Sequence, residues 1–215
     1  YALKLLGVER IISVSAVGSL REDVHPRDIV VPDQIIDRTR LRIGTFFGDG
    51  IAVHVGFADP FCQRLSSILV DTVESMGTPV HRGGTYVVIE GPAFSTKAES
   101  HLYRSWGAEI IGMTALPEAK LAREAEMCYS TLACVTDYDC WHGEEEAVNV
   151  EMVIKVLSQG VETSKEVLEK VIPQLTKDRD CCCGTALKNA IVTPQDRMSS
   201  GAMNRLAPII GKYLS

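Results

Sequence analysis

Two carboxylates, Asp137 and Asp139, follow directly after residues 128–136, an apolar stretch typical of a buried strand. Such a pair can bind a divalent metal ion together with phosphate groups. Alternatively, burial can raise the pKa of one carboxyl until it serves as a general acid. The sequence contains neither the lysine-containing glycine loop that binds nucleoside triphosphates nor the Gly-x-Gly-x-x-Gly loop that binds dinucleotides. Neither of these ligand classes is therefore favoured.

Three further predicted strands end in segments that suit a polar ligand. The first ends within residues 13–19, which mix serine, glycine and apolar residues, the third in residues 90–96 and the fourth in residues 112–114. Backbone N–H groups exposed in such small-residue turns favour an anion. Because ligand sites in open α/β sheets form at the carboxyl ends of strands, we expect the four strand ends to build one site.

Hydrophobic periodicity predicts an α/β fold in which helices cover both faces of a sheet. Residues 38–59 lack a clear period, and we predict a loop there. Since no internal repeat or long linker is present, residues 1–215 are expected to form one domain. The predicted strands cover residues 10–16, 28–32, 85–90, 109–113 and 128–136, and the predicted helices cover residues 60–76, 97–107, 117–126, 150–171, 185–191 and 199–213.

Composition disfavours two classes of partner. The formal net charge of −6 speaks against a nucleic-acid surface, which needs clustered Lys and Arg. No apolar run approaches the roughly 18 residues that span a bilayer, so no membrane partner is expected. The chain starts without Met, on a segment typical of a helix end capped by Gly7. We therefore expect a further section upstream. Whether that section includes a targeting segment is left open by the sequence.

Seven cysteines are a high number for this chain. The residues alone leave three interpretations open. The cysteines can be reduced core residues, ligands of a soft metal ion at the adjacent Cys181, Cys182 and Cys183, or disulfides of a hyperthermophile's protein. The low number of asparagines, three, favours a thermophilic source.

Three separate stretches resemble the methylthioadenosine phosphorylases, a branch of the trimeric purine nucleoside phosphorylases. They are Gly-Thr-Tyr-Val-Val-Ile-Glu-Gly-Pro-Ala-Phe-Ser-Thr at residues 84–96, Gly-Met-Thr-Ala-Leu-Pro-Glu-Ala-Lys-Leu-Ala-Arg-Glu at residues 112–124 and Val-Thr-Asp-Tyr-Asp-Cys-Trp at residues 135–141. The resemblance implies a single-domain nucleoside phosphorylase fold with a twisted mixed β-sheet flanked by helices. It also implies phosphorolysis, in which phosphate attacks C1' of a purine nucleoside and releases the free base.

The resemblance assigns the catalytic role to the two aspartates. Asp137 faces N7 and the 6-substituent of the purine, and Asp139 lies beside it. A buried, neutral Asp137 can donate a hydrogen bond to N7, which eases departure of the base. The other residues implied in binding are Ser15, Ala16 and Thr114 at the phosphate, and Phe94, Ser95, Ile111 and Met113 around the ribose and the purine.

Asp137 with Ser95 favours a 6-aminopurine, since relatives specific for 6-oxopurines carry Asn and Glu at these positions. Val150 and Val153 are implied as walls of an apolar pocket for the 5' end. The expected reaction is phosphorolysis of 5'-methylthioadenosine to adenine and 5-methylthioribose-1-phosphate. Gly112 matches broader-specificity archaeal members, so a phosphorylase acting on adenosine, inosine and guanosine is the alternative. A noncatalytic purine-binding protein is a rival of another class.

The resemblance also implies features of assembly and stability. His54 matches a residue that reaches into a neighbouring subunit's site, which implies a homotrimer or a hexamer of two trimers. The family's glycine-rich phosphate loop and its Arg-His pair are expected upstream of residue 1. A cytoplasmic enzyme with phosphate as co-substrate, and with no cofactor or metal, is expected. Two disulfides are implied, Cys181–Cys183 and Cys62–Cys128, as in hyperthermophile members.

Overall fold

The computed structural model describes residues 1–142 and 150–214; in the helix that starts at Val150, side chains are described at Ile154, at Val156 and from Ser158 onward. The strands of the described chain are β1 (Arg10–Ser19), β2 (Ile29–Val31), β3 (Gln34–Arg38), β4 (Val80–Arg82), β5 (Thr85–Ile89), β6 (Ile110–Gly112) and β7 (Cys128–Asp137). The α-helices are α1 (Ala2–Leu5), α2 (Gln63–Ser75), α3 (Lys97–Ser105), α4 (Ala115–Glu124), α5 (Val150–Val171) and α6 (Ser200–Ile210).

These strands form one mixed sheet in the order β3-β5-β6-β1-β7-β2-β4. The two long strands β1 and β7 lie side by side at its centre and run parallel, with Arg10 opposite Cys128 at their amino ends. Their outer neighbours are antiparallel to them, β6 to β1 and β2 to β7. The predicted α/β class and the expected mixed sheet are thus confirmed.

Strand β7 is buried on both faces, which is why its sequence does not alternate with charged residues and carries no charge before Asp137. Its successive side chains point to opposite faces. Tyr129 and Ala133 join a core cluster with residues of α4, whereas Leu132 and Cys134 join a second cluster with residues of α2 and α5. Helices therefore cover the sheet on both faces, as the alternation of strands and helices predicts.

Two edge strands of the described sheet are absent from the sequence prediction. β3 and β4 contain five and three residues, and most of their side chains are partly or fully exposed. Such short strands at a sheet edge carry too few buried positions to produce a readable period.

The predicted helix over residues 185–191 is wrong. A short 3-10 turn, Cys182–Thr185, is followed by further turns, and Ile191 pairs with Val53 in an isolated bridge. The Leu187 N–H donates over 3.0 Å to the buried carboxylate of Glu126 rather than to a helical carbonyl. A tertiary contact has overridden the local preference for helix. No helix in the described part of the chain is long and apolar enough to cross a membrane.

Candidate active site

A cavity of about 210 Å³ lies where strands β1, β5, β6 and β7 end. The sequence-predicted residues that line it are Ala16, Phe94, Ser95, Ile111, Met113, Thr114, Asp137 and Asp139. The four strand ends thus meet around one cavity, as expected, and its use as a ligand site stays a prediction.

Asp137 ends β7 at a bulge that shifts the register against β1, so that Val17 pairs with Val135 but Gly18 pairs with Asp137. Bulges often re-aim side chains beside active sites. The Thr136 hydroxyl donates to one carboxylate oxygen of Asp137 over 2.7 Å, and the Asp139 N–H donates to the other over 2.8 Å. Burial nevertheless raises the pKa of Asp137, because the loss of hydration outweighs these two hydrogen bonds.

The second carboxylate, Asp139, is buried and is held by Ser95. The Ser95 hydroxyl lies 2.9 and 2.8 Å from the two oxygens of Asp139. Cys140 also contributes, since its thiol lies 3.3 Å from the Ser95 carbonyl oxygen. Asp139 has a positive φ of 50°, which few residues other than glycine adopt but aspartate tolerates. Ser95 and Asp139 thus fix one another, and Asp139 in turn positions Asp137 through its backbone N–H.

Three hydroxyl groups gather on the β1 side of the site. The buried Ser15 hydroxyl lies 2.8 Å from that of Thr114, and the Tyr86 hydroxyl lies 3.5 Å from Thr114. Thr114 immediately precedes α4, yet its side chain makes no capping hydrogen bond there. Its hydroxyl is instead oriented by Ser15. Hydroxyls of this kind can donate to an anion. Thr114, which follows β6, lines the cavity where an anion can approach, whereas Ser15 and Tyr86 are buried behind it and outside the cavity lining.

Apolar side chains complete the cavity walls. Ile111 is buried at the end of β6, while Phe94 is half exposed at 49% of its maximal surface. Met113 packs over Gly91, where an added Cβ atom would lie 2.6 Å from the Met113 sulfur. Gly91 also has a φ of 69°, so glycine is required there on both counts. An exposed aromatic ring and a closely packed methionine suit a flat, partly apolar ligand.

Three predicted substrate contacts are not brought together with these residues. His54 is exposed and outside the cavity lining, and its backbone N–H donates to the Ala190 carbonyl over 2.9 Å. Its assignment to a neighbouring subunit's site stays a prediction. Val150 and Val153 begin α5, but their side chains lie outside the described residues.

Sequence reasoning missed Arg42 because it falls in the segment without a period. Its guanidinium donates to the backbone carbonyls of Met113 and Leu116 and, over 3.2 Å, to that of Ile89, and it pairs with the Glu90 carboxylate at 3.3 Å. Arg42 therefore ties the end of β5 to the segment that carries Met113 and Thr114. No local signal identifies such a long-range clamp.

Gly18 was also missed, although it lies in the small-residue end of β1. A Cβ atom added there would lie 3.1 Å from an Asp137 carboxylate oxygen and 3.2 Å from a methyl group of Ile111. The absence of a side chain at Gly18 leaves room for Asp137 beside the bulge.

The two predicted disulfides are not formed. All seven cysteines, which lie within the described residues, are free thiols. The sulfur atoms of Cys128 and Cys181, which belong to different predicted pairs, lie 3.4 Å apart. A disulfide needs about 2.05 Å. Cys62 and Cys183 join them, so the four sulfurs share one cluster in place of two bonded pairs.

Comparison with known proteins places the chain in a family. Residues 1–173 match the Phosphorylase superfamily. An S-methyl-5'-thioadenosine phosphorylase from Chloroflexus aurantiacus is 55% identical over 100% of this chain and 75% of its own length. One of the same name from Koribacter versatilis is 53% identical over 99% of this chain and 73% of its own.

Solved structures agree with these relatives. A methylthioadenosine phosphorylase from an antarctic soil metagenomic library superposes with a TM-score of 0.91 at 48% identity, over 97% of this chain and 74% of that one. The methylthioadenosine phosphorylase of Schistosoma mansoni in complex with adenine gives a TM-score of 0.80 at 36% identity, over 83% of this chain and 69% of that one. The chain therefore belongs to the S-methyl-5'-thioadenosine phosphorylases of the phosphorylase superfamily.

Proposed function

We propose that this protein catalyses the phosphorolysis of 5'-methylthioadenosine to adenine and 5-methylthioribose-1-phosphate. The observation that carries the proposal is that one cavity is lined both by a carboxyl suited to donate a proton and by a hydroxyl suited to bind phosphate. A carboxyl with a raised pKa, Asp137, lines a cavity that also contains Thr114, whose hydroxyl is held by Ser15. Family membership supplies the reaction class, and these residues supply the groups that the reaction needs.

The reaction breaks the bond between C1' and N9 of the nucleoside and forms a bond between C1' and a phosphate oxygen. The electron pair of the broken bond moves into the purine, so negative charge develops on the base. A neutral Asp137 that donates a proton or a hydrogen bond to N7 stabilises that charge. Burial supports this role, since it favours the neutral form of the Asp137 carboxyl. The neighbouring Thr136 hydroxyl and Asp139 N–H limit its motion.

We assign Ser15, Ala16 and Thr114 to the phosphate. The Ser15 and Thr114 hydroxyls are 2.8 Å apart, so one phosphate oxygen can contact both. Tyr86 also contacts this pair, because its buried hydroxyl lies 3.5 Å from the Thr114 hydroxyl. Inorganic phosphate is the co-substrate, and the proposed reaction involves no further cofactor.

We assign the opposite side of the cavity to the nucleoside. Phe94 is exposed enough to stack on a purine, and Met113 and Ile111 present apolar surface to the ribose and the base. Ser95 acts through Asp139 rather than on the ligand, since its hydroxyl is engaged by that carboxylate. Val150 and Val153 are assigned to the apolar 5' pocket on the family resemblance alone.

We further propose that the protein assembles as a homotrimer, or as a hexamer of two trimers, in the cytoplasm. His54 is exposed in the single chain and makes no contact with the cavity of its own chain, which is consistent with a role at a neighbouring subunit. Light scattering coupled to size-exclusion chromatography measures the assembly directly. A monomer with full activity would contradict the shared site.

The test of the function is phosphate-dependent release of adenine from 5'-methylthioadenosine, with adenosine and inosine measured in parallel. We expect release only when phosphate is present, with the highest kcat/KM for 5'-methylthioadenosine. Equal or faster cleavage of inosine would replace the proposal by a broad purine nucleoside phosphorylase. Tight purine binding without release of base from any of the three would favour a noncatalytic binding protein.

A further inference from the structure

Four cysteines from three distant parts of the chain meet at one point, and we call them the cysteine cluster: Cys62, Cys128, Cys181 and Cys183. Cys62 is the residue before α2, Cys128 begins β7, and the last two flank Cys182 at the start of the 3-10 turn. All four sulfur atoms lie within 4.8 Å of one another. Among the described residues, this is the one group of metal-binding side chains that converges so closely.

The spacing of these sulfurs matches a tetrahedral metal site. Zinc–thiolate bonds of about 2.3 Å place the sulfurs of a tetrahedron about 3.8 Å apart. The observed limit of 4.8 Å for the cluster and the 3.4 Å between Cys128 and Cys181 bracket that value. A pairwise arrangement for disulfides would leave two close pairs separated from each other. The cluster instead has each sulfur near all the others.

Most of the cluster is shielded from solvent and provides four protein ligands. Cys62, Cys128 and Cys183 are buried, whereas Cys181 is partly exposed, and apolar side chains such as Leu65 and Leu175 pack around them. A closed site with four protein ligands is typical of structural zinc, whereas catalytic zinc keeps a position for water. Sulfur ligands alone also select a soft or borderline metal ion over magnesium or calcium.

Charged side chains of both signs border the cluster. The adjacent cavity is lined by Arg10, Arg64 and Arg179 and by Asp178 and Asp180. The arginines can offset part of the net negative charge that a tetrathiolate carries even with a dication, while the aspartates limit that gain. Thiolates are the form that binds metal ions.

We propose that the cysteine cluster binds one zinc ion per chain, in a structural site that fastens the C-terminal segment to the phosphorylase core. Two ligands, Cys62 and Cys128, lie within residues 1–173 that match the superfamily, and two lie beyond them. Cys128 and Asp137 stand at opposite ends of β7, about 30 Å apart along an extended strand. The zinc ion therefore takes no part in the reaction at the cavity.

The test is the metal content of the complete protein, purified under reducing conditions without chelator and measured by inductively coupled plasma mass spectrometry. We expect one zinc ion per chain in the wild type and loss of nearly all of it in the variants Cys62→Ser and Cys183→Ser. Cys182→Ser is the matched control, because this exposed cysteine lies between two ligands and outside the cluster. It should retain the full zinc content.

A second measurement does not depend on how the variants fold. Wild-type protein that has been reduced and stripped of metal is titrated with cobalt(II). We expect the visible absorption of tetrahedral thiolate-bound cobalt, which saturates at one equivalent and disappears when zinc is added. Protein without zinc and without cobalt absorption, disulfides in its peptide map, or bound iron or copper in place of zinc would each overturn the proposal.

Discussion

The two ends of strands β1 and β7 carry different chemistry on the same pair of strands. At the carboxyl ends, Asp137 and Thr114 border an open cavity of about 210 Å³. At the amino end of β7, Cys128 belongs to a cluster of four thiols, three of which are buried. A site that receives a ligand keeps exposed polar groups and space, whereas a site that fastens segments shields most of its groups. We name the two ends of the strand pair after the roles proposed for them, the catalytic end and the structural end.

Glu126 reinforces the structural character of the amino end. Its carboxylate accepts hydrogen bonds from the Tyr213 hydroxyl over 2.6 Å and from the Leu187 N–H over 3.0 Å, and it pairs with Lys212. These partners all belong to the C-terminal segment. The cysteine cluster and Glu126 therefore attach the same segment to the same end of β7. Changes here should affect stability, and changes at the other end should affect catalysis.

The largest effect is expected for Asp137→Ala. This substitution removes the group that we assign to N7, and loss of a general acid costs about 10²–10⁴-fold in rate. We expect kcat/KM for 5'-methylthioadenosine to fall by that factor, measured as adenine release. The melting temperature should stay within a few degrees of wild type, because the side chain borders a cavity. A loss of kcat/KM smaller than tenfold would contradict the assignment of Asp137 as the proton donor.

Removal of metal should produce the next largest effect, and it should act on stability. A zinc ion bound far above its dissociation constant contributes about 4 kcal/mol, which corresponds to a melting temperature on the order of 10 °C higher for a chain of this size. We expect chelated protein to melt lower by that amount, as measured by differential scanning calorimetry. Its kcat at 25 °C, where it remains folded, should be unchanged. An equal loss of kcat would show that the two ends are coupled.

Thr114→Val should weaken the use of phosphate. The substitution keeps the shape of the side chain but removes a hydroxyl that can donate to a charged group, which is worth about 1.5–3 kcal/mol. We expect the KM for phosphate to rise about 10–100-fold, with a much smaller change for the nucleoside. The matched variant Thr193→Val removes a hydroxyl outside the cavity, one that accepts from the Ala52 N–H. It should leave both constants unchanged.

Gly18→Ala should have the smallest effect. The added methyl group would stand 3.1 Å from the Asp137 carboxylate and 3.2 Å from Ile111, so these side chains must shift by a few tenths of an ångström. We expect kcat/KM to fall by less than about tenfold, since misplaced catalytic groups lose rate without losing their chemistry. Gly201→Ala, where nothing lies within 4 Å of the added carbon, is the control. Equal activities of both variants would contradict the claim that close packing at Gly18 constrains the position of Asp137.

Most residues of the catalytic end can be predicted from the sequence, whereas the contacts of the structural end cannot, and the difference has a physical reason. Strand ends are local features, so the acids after β7 and the small residues of β1 indicate a site before any contact is known. The cysteine cluster depends on contacts between residues 62, 128 and 181–183, which lie 53 or more positions apart. No local sequence pattern around the cysteines indicates that they lie together in the fold. The family resemblance therefore predicts bonded pairs where the fold produces a four-sulfur cluster.

Other differences have similar causes. Arg42 works through backbone carbonyls of two separate segments, at Ile89 and at Met113 and Leu116, which no spacing rule detects. The predicted helix over residues 185–191 fails because Glu126 binds the Leu187 N–H. By contrast, the helix predicted from residue 97 begins where expected, because its start is fixed locally: the Thr96 hydroxyl accepts from the Glu99 N–H and the Glu99 carboxylate accepts from the Thr96 N–H, within one helical turn.

The most direct test of the catalytic end is the pH dependence of kcat/KM for 5'-methylthioadenosine in the wild type and in Asp137→Asn. Burial raises the pKa of Asp137, so its neutral, donating form persists above the ordinary range of an aspartate and is lost as pH rises through the raised value. We expect wild-type kcat/KM to fall about tenfold per pH unit above that point. Asp137→Asn, which cannot ionise, should be slower and lack this limb. A variant that keeps the wild-type profile would contradict the assignment of Asp137 as the proton donor.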